Sequence, residues 1–291
     1  MGKVALIGGS GISDSPGFKD LEWKQFGTGI YRGPKADGIV YYQERSDGVV
    51  FIPRHGIPER RYGPAQTQYA ANIVAAKMLG ASVVIATSAV GSYFPNQIPL
   101  ESIVVVDSFV DETGRDDNLF GFGLVVHANP RPAFSPDLRQ ILIEEAKQRR
   151  YFKKVVEQGT YVCIPGDRFG TTAEGKKRAK YAHIVGMTAC PEAALAIQAG
   201  LHYAVAAFPV DYDLDANHEG QTLQVMGRLS QPNRVPAYLE RVIEQAKVFA
   251  ADAPFLPQLK GNIIPIKNVN QIENEKLRAI AKELMKKYCQ E

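Results

Sequence analysis

Short runs rich in valine and isoleucine alternate with helical segments along most of this 291-residue chain, and this alternation constrains its fold most. The runs that predict strands are dense in β-branched residues and bounded by glycine or proline: 4–7, 49–53, 82–88, 102–107, 160–164, 183–185 and 203–208. Helical periodicity covers 67–78, 136–148, 172–179 and 191–199. The alternation predicts an α/β sheet with helices on both faces.

Prolines and changes of polarity predict where helices begin and where the loops of the second half of the chain lie. Pro136 and Pro191 suit first-turn positions of helices, because proline has no amide hydrogen to lose there. Residues 215–234 read as a polar, interrupted loop before a helix over 235–250. A connector at 253–265 precedes a last amphipathic helix near 274–288. Without repeats or a composition shift, we expect one domain over 1–291, with a helical extension from about 251.

Composition and charge favour a cytoplasmic protein without a nucleic-acid or membrane partner. The 34 basic and 31 acidic residues leave a net charge of only +3. No apolar run approaches the roughly 18 residues that a membrane span needs, and the first strand is not a signal peptide. The three cysteines lack metal-ligand spacing and are expected to be reduced thiols.

The opening stretch "KVALIGGSGIS" runs from a strand directly into a glycine-rich loop. A dinucleotide-binding loop needs a third glycine and an acidic residue about 20 positions later, and this chain lacks that pattern. A Walker loop is also absent, since no Gly-Lys-Ser/Thr follows. Backbone amides in such a turn can face an anion, and Ser10 adds a hydroxyl. The alternative is a tight turn that binds no ligand.

Two further strand ends carry residues suited to an anion. In "VVFIPRHGIPER", Arg54 and His55 follow an apolar strand, and in "VVIATSAVGS" another strand ends in small residues that include Ser88 and Ala89. Ligands of open α/β sheets gather at the carboxyl ends of strands. Arg54 could clamp a phosphate with its forked donors, and His55 could donate another hydrogen bond.

The order of motifs resembles the trimeric purine nucleoside phosphorylases, and most closely their branch that cleaves 5'-methylthioadenosine. The motifs are "IGGSGI", "PRHG", "QYAANIVAAKMLG", "ATSAVGS", "GTYVCIPGDRFGTTAE", "GMTACPEAALA" and "VDYD", in register from residue 3 to 213. The resemblance implies a nucleoside phosphorylase-like single domain with a central mixed β-sheet flanked by helices. It implies a pentosyltransferase that uses inorganic phosphate as co-substrate, with no metal or organic cofactor.

The resemblance also implies roles for individual residues. The implied phosphate ligands are Ser10, Arg54, His55, Ser88 and the Ala89 amide. Asp211, with Asp213 beside it, would protonate the departing purine at N7. Two neighbouring, partly desolvated carboxylates raise one pKa, so that one could stay protonated near neutral pH. Without the resemblance, these aspartates would read as the start of a solvated loop.

The implied substrate contacts lie in other motifs. Phe169 would stack on the base or fill the core, and Met187 and Thr188 match a ribose-contacting segment. His127 would reach the 5' side of a ligand in a neighbouring subunit, so the active unit would be a homotrimer or a dimer of trimers. Val235 would belong to an apolar pocket for the methylthio group.

Three rival functions remain. A 6-oxopurine nucleoside phosphorylase, acting on inosine or guanosine, places Asn where Asp211 stands and Glu where Gly170 stands. A Rossmann-type oxidoreductase would need a third glycine in the opening loop, and this chain lacks it. A binding module without catalysis would not need Arg54 and a carboxylate pair at separate strand ends. We therefore expect phosphorolysis of 5'-methylthioadenosine to adenine and 5-methylthioribose 1-phosphate.

Overall fold

The chain folds around a mixed β-sheet with helices on both faces, which confirms the predicted fold class. The computed structural model describes residues 2–9, 17–32, 36–121, 123–215, 221–265 and 268–289. The strands are β1 (Lys3–Gly8), β2 (Lys24–Gly27), β3 (Ile39–Glu44), β4 (Val50–Pro53), β5 (Gly56–Ile57), β6 (Arg60–Arg61), β7 (Ala81–Ser92), β8 (Ile103–Val105), β9 (Ser108–Asp111), β10 (Leu124–Val126), β11 (Val155–Val156), β12 (Thr160–Cys163), β13 (Ile184–Gly186), β14 (His202–Tyr212) and β15 (Ile263–Pro265). The helices are α1 (Tyr69–Met78), α2 (Pro136–Gln148), α3 (Thr172–Arg178), α4 (Glu192–Gln198), α5 (Thr222–Leu229), α6 (Val235–Ala251) and α7 (Glu275–Tyr288).

The topology of the main sheet brings several strand ends to one edge. Its strands run in the order β11-β8-β14-β7-β1-β4-β3-β2, and β13, β12 and β9 branch from β7. Strand β1 is parallel to β4 and β7, and β7 is parallel to β14. Because parallel strands point the same way, the carboxyl ends of β1, β4, β7 and β14 lie together.

Alternating side chains of the central strands build a hydrophobic core on each face of the sheet. In β1, Ala5 and Ile7 join the core under α1, α4 and α7, whereas Val4 and Leu6 join the core under α2 and α6. Both sets are at most 1% exposed. This period of two follows from the pleat of the strand, and burial on both faces explains the continuous apolar runs in the sequence.

Each predicted strand and helix overlaps an observed one, but the loop predicted over 215–234 is wrong over 222–229, and its residues 216–220 lie outside the described part of the chain. Helix α5 occupies Thr222–Leu229 within it, since Val225 and Leu229, four residues apart, bury one face of that helix. Pro191 also differs from its expected first-turn position: it is the N-cap, one residue before α4. Pro136 is in the first turn of α2, as predicted.

The C-terminal helix packs onto the main body of the protein. Leu277, Ile280, Ala281 and Leu284 of α7 are buried in the same cluster as α1 and α4. Asn274 caps this helix by accepting hydrogen bonds from the amides of Lys276 and Leu277. Residues beyond 251 therefore contribute to the core that supports the sheet.

We predict that Leu195→Ala lowers the free energy of unfolding by about 2–5 kcal/mol, since it leaves a cavity in the core. Leu195 on α4 is fully buried, whereas Leu223 on α5 is 79% exposed. Leu223→Ala is the matched control and should change stability by less than about 0.5 kcal/mol. Denaturant titration of both variants measures the difference. Equal losses would contradict the packing described above.

Candidate active site

The carboxyl ends of β4, β7 and β14 open into a cavity of about 340 Å³. Ten of the predicted site residues line it: Arg54, His55, Ser88, Ala89, Phe169, Met187, Thr188, Asp211, Asp213 and Val235. His127 lies outside it, and Ser10 falls outside the described residues. Predicted site residues as far apart in the chain as Arg54 and Val235 thus share one cavity.

Arg54 lies at the bottom of this cavity and is only 3% exposed. Its Nε and Nη2 donate to the two carboxylate oxygens of Glu192, each at 2.8 Å. Nη1 and Nη2 also donate to the carbonyls of Thr87 and Ile7. Burial works against the charged guanidinium, but Glu192 outweighs it and raises the pKa of Arg54. The fork expected to clamp phosphate is thus directed at Glu192, a difference from the prediction.

His55 is fixed by the hydrogen bonds of one ring nitrogen. Nδ1 lies 3.1 Å from the Tyr62 carbonyl and 3.1 Å from the Thr67 hydroxyl oxygen. A carbonyl only accepts, so Nδ1 carries the proton. Burial, with the nearby charge of Arg54, lowers the pKa of His55 to about 4. At neutral pH, His55 is therefore uncharged.

A fully buried tyrosine holds the hydroxyl groups of the cavity in place. The Tyr161 hydroxyl lies 3.0 Å from Ser88 Oγ and accepts a hydrogen bond from the Thr188 amide at 3.3 Å. Ser88 Oγ is in turn 3.3 Å from the Thr188 hydroxyl. A Cβ at Gly186 would lie 2.0 Å from the Tyr161 oxygen, so only glycine leaves room for this arrangement.

The two aspartates enter the cavity from the end of β14. Asp211 is within the strand, and the Asp213 amide, just past it, donates to the Ser92 carbonyl. A Cβ at Gly91 would lie 2.7 Å from an Asp211 carboxylate oxygen and 3.3 Å from the Asp213 Cβ, so glycine permits their close approach. Burial raises the pKa of Asp213; Arg178 opposes the rise and Glu174 adds to it. Burial, which we expected to act together with the neighbouring carboxylate, is the main cause.

Apolar side chains form much of the remaining wall. Val210, Val235, Met226 and Leu229 line the cavity, the last two from the unpredicted helix α5. Phe169 is 72% exposed at the edge, so its alternative role as core filler is wrong. A charged or polar group would lose hydration against the apolar wall, which therefore suits an uncharged, non-polar substituent.

His127 is exposed, and its amide donates to the Asn262 carbonyl. Among the residues that the structure describes, no cluster of three or more His, Cys, Asp or Glu side chains could hold a metal ion.

Two residues on which the site depends, Glu192 and Tyr161, were not predicted from the sequence. Glu192 belongs to the quoted motif "GMTACPEAALA", and Tyr161 to "GTYVCIPGDRFGTTAE", but neither received a role. Their partners, Arg54 and Ser88, are 138 and 73 positions away. A buried charge requires an opposite charge, so Arg54 after a buried strand was the available signal for Glu192.

We predict that Glu192→Gln lowers the free energy of unfolding by about 3–5 kcal/mol, because it leaves the buried Arg54 charge uncompensated. The control is Glu244→Gln, which breaks the exposed Arg241–Glu244 pair. That variant should change stability by less than about 1 kcal/mol. Denaturant unfolding of both variants measures the effect, and comparable values would argue against an essential buried pair.

We also predict that His55 makes the protein less stable in acid. Its pKa falls from 6.5 to about 4 on folding, so the unfolded chain binds more protons between these values. The contribution of the neutral His55 to the free energy of unfolding is therefore fully present above pH 6.5 and is lost as the pH falls toward 4. Over this range, His55→Gln should lose less stability than the wild type, as measured by thermal unfolding. The exposed-histidine control His127→Gln should follow the wild type; parallel curves for all three proteins would refute the prediction.

The chain is similar to known phosphorylases in sequence and in structure. The model of the phosphorylase superfamily matches residues 3–242. The chain is 39% identical to an S-methyl-5'-thioadenosine phosphorylase of Hyperthermus butylicus, over 79% of this chain and 82% of that protein. It is 37% identical to that of Pyrococcus horikoshii, over 87% of this chain and 97% of the relative. A Schistosoma mansoni methylthioadenosine phosphorylase solved with adenine has a TM-score of 0.75 at 26% identity, covering 99% of both chains. The chain belongs to the phosphorylase superfamily.

Proposed function

We propose that this protein catalyses phosphorolysis of 5'-methylthioadenosine. An oxygen of inorganic phosphate forms a bond to C1' of the ribose while the bond from C1' to N9 breaks. The electron pair leaves with the purine, which takes up a proton to become adenine, and 5-methylthioribose 1-phosphate remains. The observation that carries this proposal is one cavity that combines four of the five predicted phosphate residues, two aspartates and an apolar wall. The names of the relatives support the same reaction.

Phosphate would bind at the ends of β4 and β7. The hydroxyl groups of Ser88 and Thr188 and the Ala89 amide supply donors, with Ser10 as a further predicted contact. Arg54 provides a fixed positive charge behind them, although Glu192 offsets much of it. A bound phosphate dianion stabilises the positive charge that develops on the ribose as the glycosidic bond breaks.

The base would lie near Asp211 and Asp213. A carboxylic acid that stays protonated near neutral pH can donate to N7 of the departing purine. Burial raises the pKa of Asp213, whereas the resemblance assigns the donor role to its neighbour Asp211. Carboxylate oxygens also accept hydrogen bonds from an exocyclic amine, which adenine carries and hypoxanthine lacks. Met187 would contact the ribose, and Phe169 would contact the base.

The 5' end of the nucleoside would lie against the apolar side chains of α5 and α6. Val235, Met226 and Leu229 offer no hydrogen-bond donor or acceptor from their side chains. A methylthio group buries its apolar surface there without giving up a strong hydrogen bond to water, whereas a 5'-hydroxyl loses such a bond. This contrast favours 5'-methylthioadenosine over adenosine.

The reaction requires no organic cofactor or metal ion in this proposal. His127 would serve the site of a neighbouring subunit, which makes a homotrimer or a dimer of trimers the active unit.

We place the protein in the cytoplasm. None of the helices in the described ranges combines the length and apolar character needed to cross a bilayer.

Base release with and without phosphate tests the function. We expect phosphate-dependent adenine release, fastest with 5'-methylthioadenosine and slower with adenosine, inosine and guanosine. A preference for inosine or guanosine would favour the alternative 6-oxopurine phosphorylase and contradict the role given to Asp211. Absence of phosphate-dependent release from all four nucleosides would refute phosphorolysis of these substrates.

Substitution of the two aspartates tests their roles. Asp211→Asn should reduce turnover of 5'-methylthioadenosine by about 100-fold or more, in the range expected for removal of a general acid. Asp213→Asn should reduce it less, because Asp211 is expected to be the donor. Steady-state kcat for both variants is the measurement. Equal losses would remove the assignment of the proton to Asp211.

A further inference from the structure

Glu101, in the segment between β7 and β8, binds arginine side chains at the end of α5 and the start of α6. Its Oε1 accepts a hydrogen bond from Arg228 Nε on α5 at 3.0 Å. Its Oε2 accepts from both Nη1 and Nη2 of Arg234, the N-cap of α6, each at 3.3 Å. Lys153 Nζ lies 3.1 Å from Oε1. One carboxylate therefore joins the connection between α5 and α6 to the body of the protein.

Glu101 has a backbone conformation that residues other than glycine rarely adopt. Its φ of 62° lies in the left-handed region, where the Cβ of an L-residue comes close to the following carbonyl oxygen. The residue is only 5% exposed, and its amide donates to the Pro209 carbonyl. Burial works against the charged carboxylate, but hydrogen bonds from Lys153 and Arg228 outweigh it and lower the pKa of Glu101. A charged, buried carboxylate thus stands where glycine would fit the backbone more easily.

The arginines bound by Glu101 are neighbours in the chain of the side chains that we assign to the 5' end of the nucleoside. Met226 and Leu229 lie before and after Arg228 in α5. Val235 is the first residue of α6. All three apolar side chains line the cavity, whereas Glu101 and the arginines that it binds do not. The ion pairs therefore act on this part of the wall from outside the cavity.

We propose that Glu101 is a positioning residue that holds the apolar wall of α5 and α6 against the 5' end of the nucleoside and so sets the preference for a 5'-methylthio over a 5'-hydroxyl group. The inference rests on the proposed function and adds a residue to which no role was given. Without the ion pairs, α5 keeps two buried side chains, Val225 and Leu229, so we expect it to move and admit water. A methylthio group then loses apolar burial, whereas a hydroxyl group regains a hydrogen bond to water.

The test compares 5'-methylthioadenosine with adenosine, as the ratio of their kcat/KM values in each variant. Both nucleosides carry the same base and react with the same phosphate, so a change at the base or phosphate part of the site affects them alike. Arg228→Met releases α5, because within the described residues the Arg228 side chain makes its polar contact with Glu101 alone. We expect the ratio to fall about tenfold, which corresponds to about 1.4 kcal/mol. Arg228→Lys can still form an ion pair and should restore most of the ratio.

Glu101→Gly removes the carboxylate while keeping the backbone conformation, because glycine readily adopts a positive φ. Since Glu101 binds Arg234 as well as Arg228, the ratio should fall at least as far as in Arg228→Met. The double variant should fall no further than Glu101→Gly alone, because the two residues act through one contact. Additive losses in the double variant would contradict this shared role.

Arg241→Met is the matched control for the loss of an ion pair alone. Arg241 on α6 has a side chain that is 40% exposed and pairs with the buried carboxylate of Glu145. The Arg228 side chain is similar at 47% exposed. Arg241 does not line the cavity, so the ratio should stay within about twofold of the wild type. An equal loss for both nucleosides in Arg228→Met, or the same fall of the ratio in Arg241→Met, would overturn the inference.

Calorimetric binding of the two nucleosides without phosphate distinguishes failure of this inference from failure of the proposed function. Phosphorolysis by the wild type with an unchanged ratio in Arg228→Met and Glu101→Gly would overturn the positioning role alone. A wild type without phosphorolysis would overturn the reaction, but a selective loss of 5'-methylthioadenosine binding in both variants would still support the positioning role. A wild type that binds the two nucleosides equally would overturn the positioning role, and one that binds neither would overturn both.

Discussion

The buried ion pair between Arg54 and Glu192 is the constraint on which the cavity depends. Arg54 follows β4, reaches the carbonyls of Ile7 in β1 and Thr87 in β7, and bonds Glu192 at the start of α4. Glu192 also accepts a hydrogen bond from Tyr203 of β14 at 2.8 Å. One charge network therefore connects the four parallel strands that form the bottom of the site.

Such a pair does not need to add net stability. Removing two charges from water costs several kcal/mol per ion, and the attraction between them offsets this cost only with good geometry and full hydrogen bonding. Here both side chains are at most 2% exposed, and their donors and acceptors are largely satisfied. The arrangement holds a positive charge at a fixed place beneath the hydroxyl groups of Ser88 and Thr188, where a mobile surface arginine could not stay.

The cavity combines polar and apolar parts because different elements contribute them. The strand ends supply hydroxyls, amides and carboxylates, whereas α5 and α6 supply apolar side chains. Sequence periodicity identified the central strands because they are buried on both faces. It did not identify β2, whose residues are mostly exposed, or α5, which lies in a polar stretch that hid its buried Val225 and Leu229. Those elements depend on contacts with the rest of the protein rather than on local pattern.

The amino-acid sequence alone determined the fold class, most of the helices, the central strands, and the set of motifs from which Arg54, Ser88, Asp211 and Val235 could be named. These features follow from local periodicity, from residue chemistry and from the resemblance of the motifs to a known family. Only the tertiary structure decided which groups meet. It directed the fork of Arg54 toward Glu192, placed Tyr161 against Ser88, and brought Arg228 to Glu101. These contacts join residues 138, 73 and 127 positions apart, and no local pattern encodes them, because the folding of the whole sheet brings the partners together.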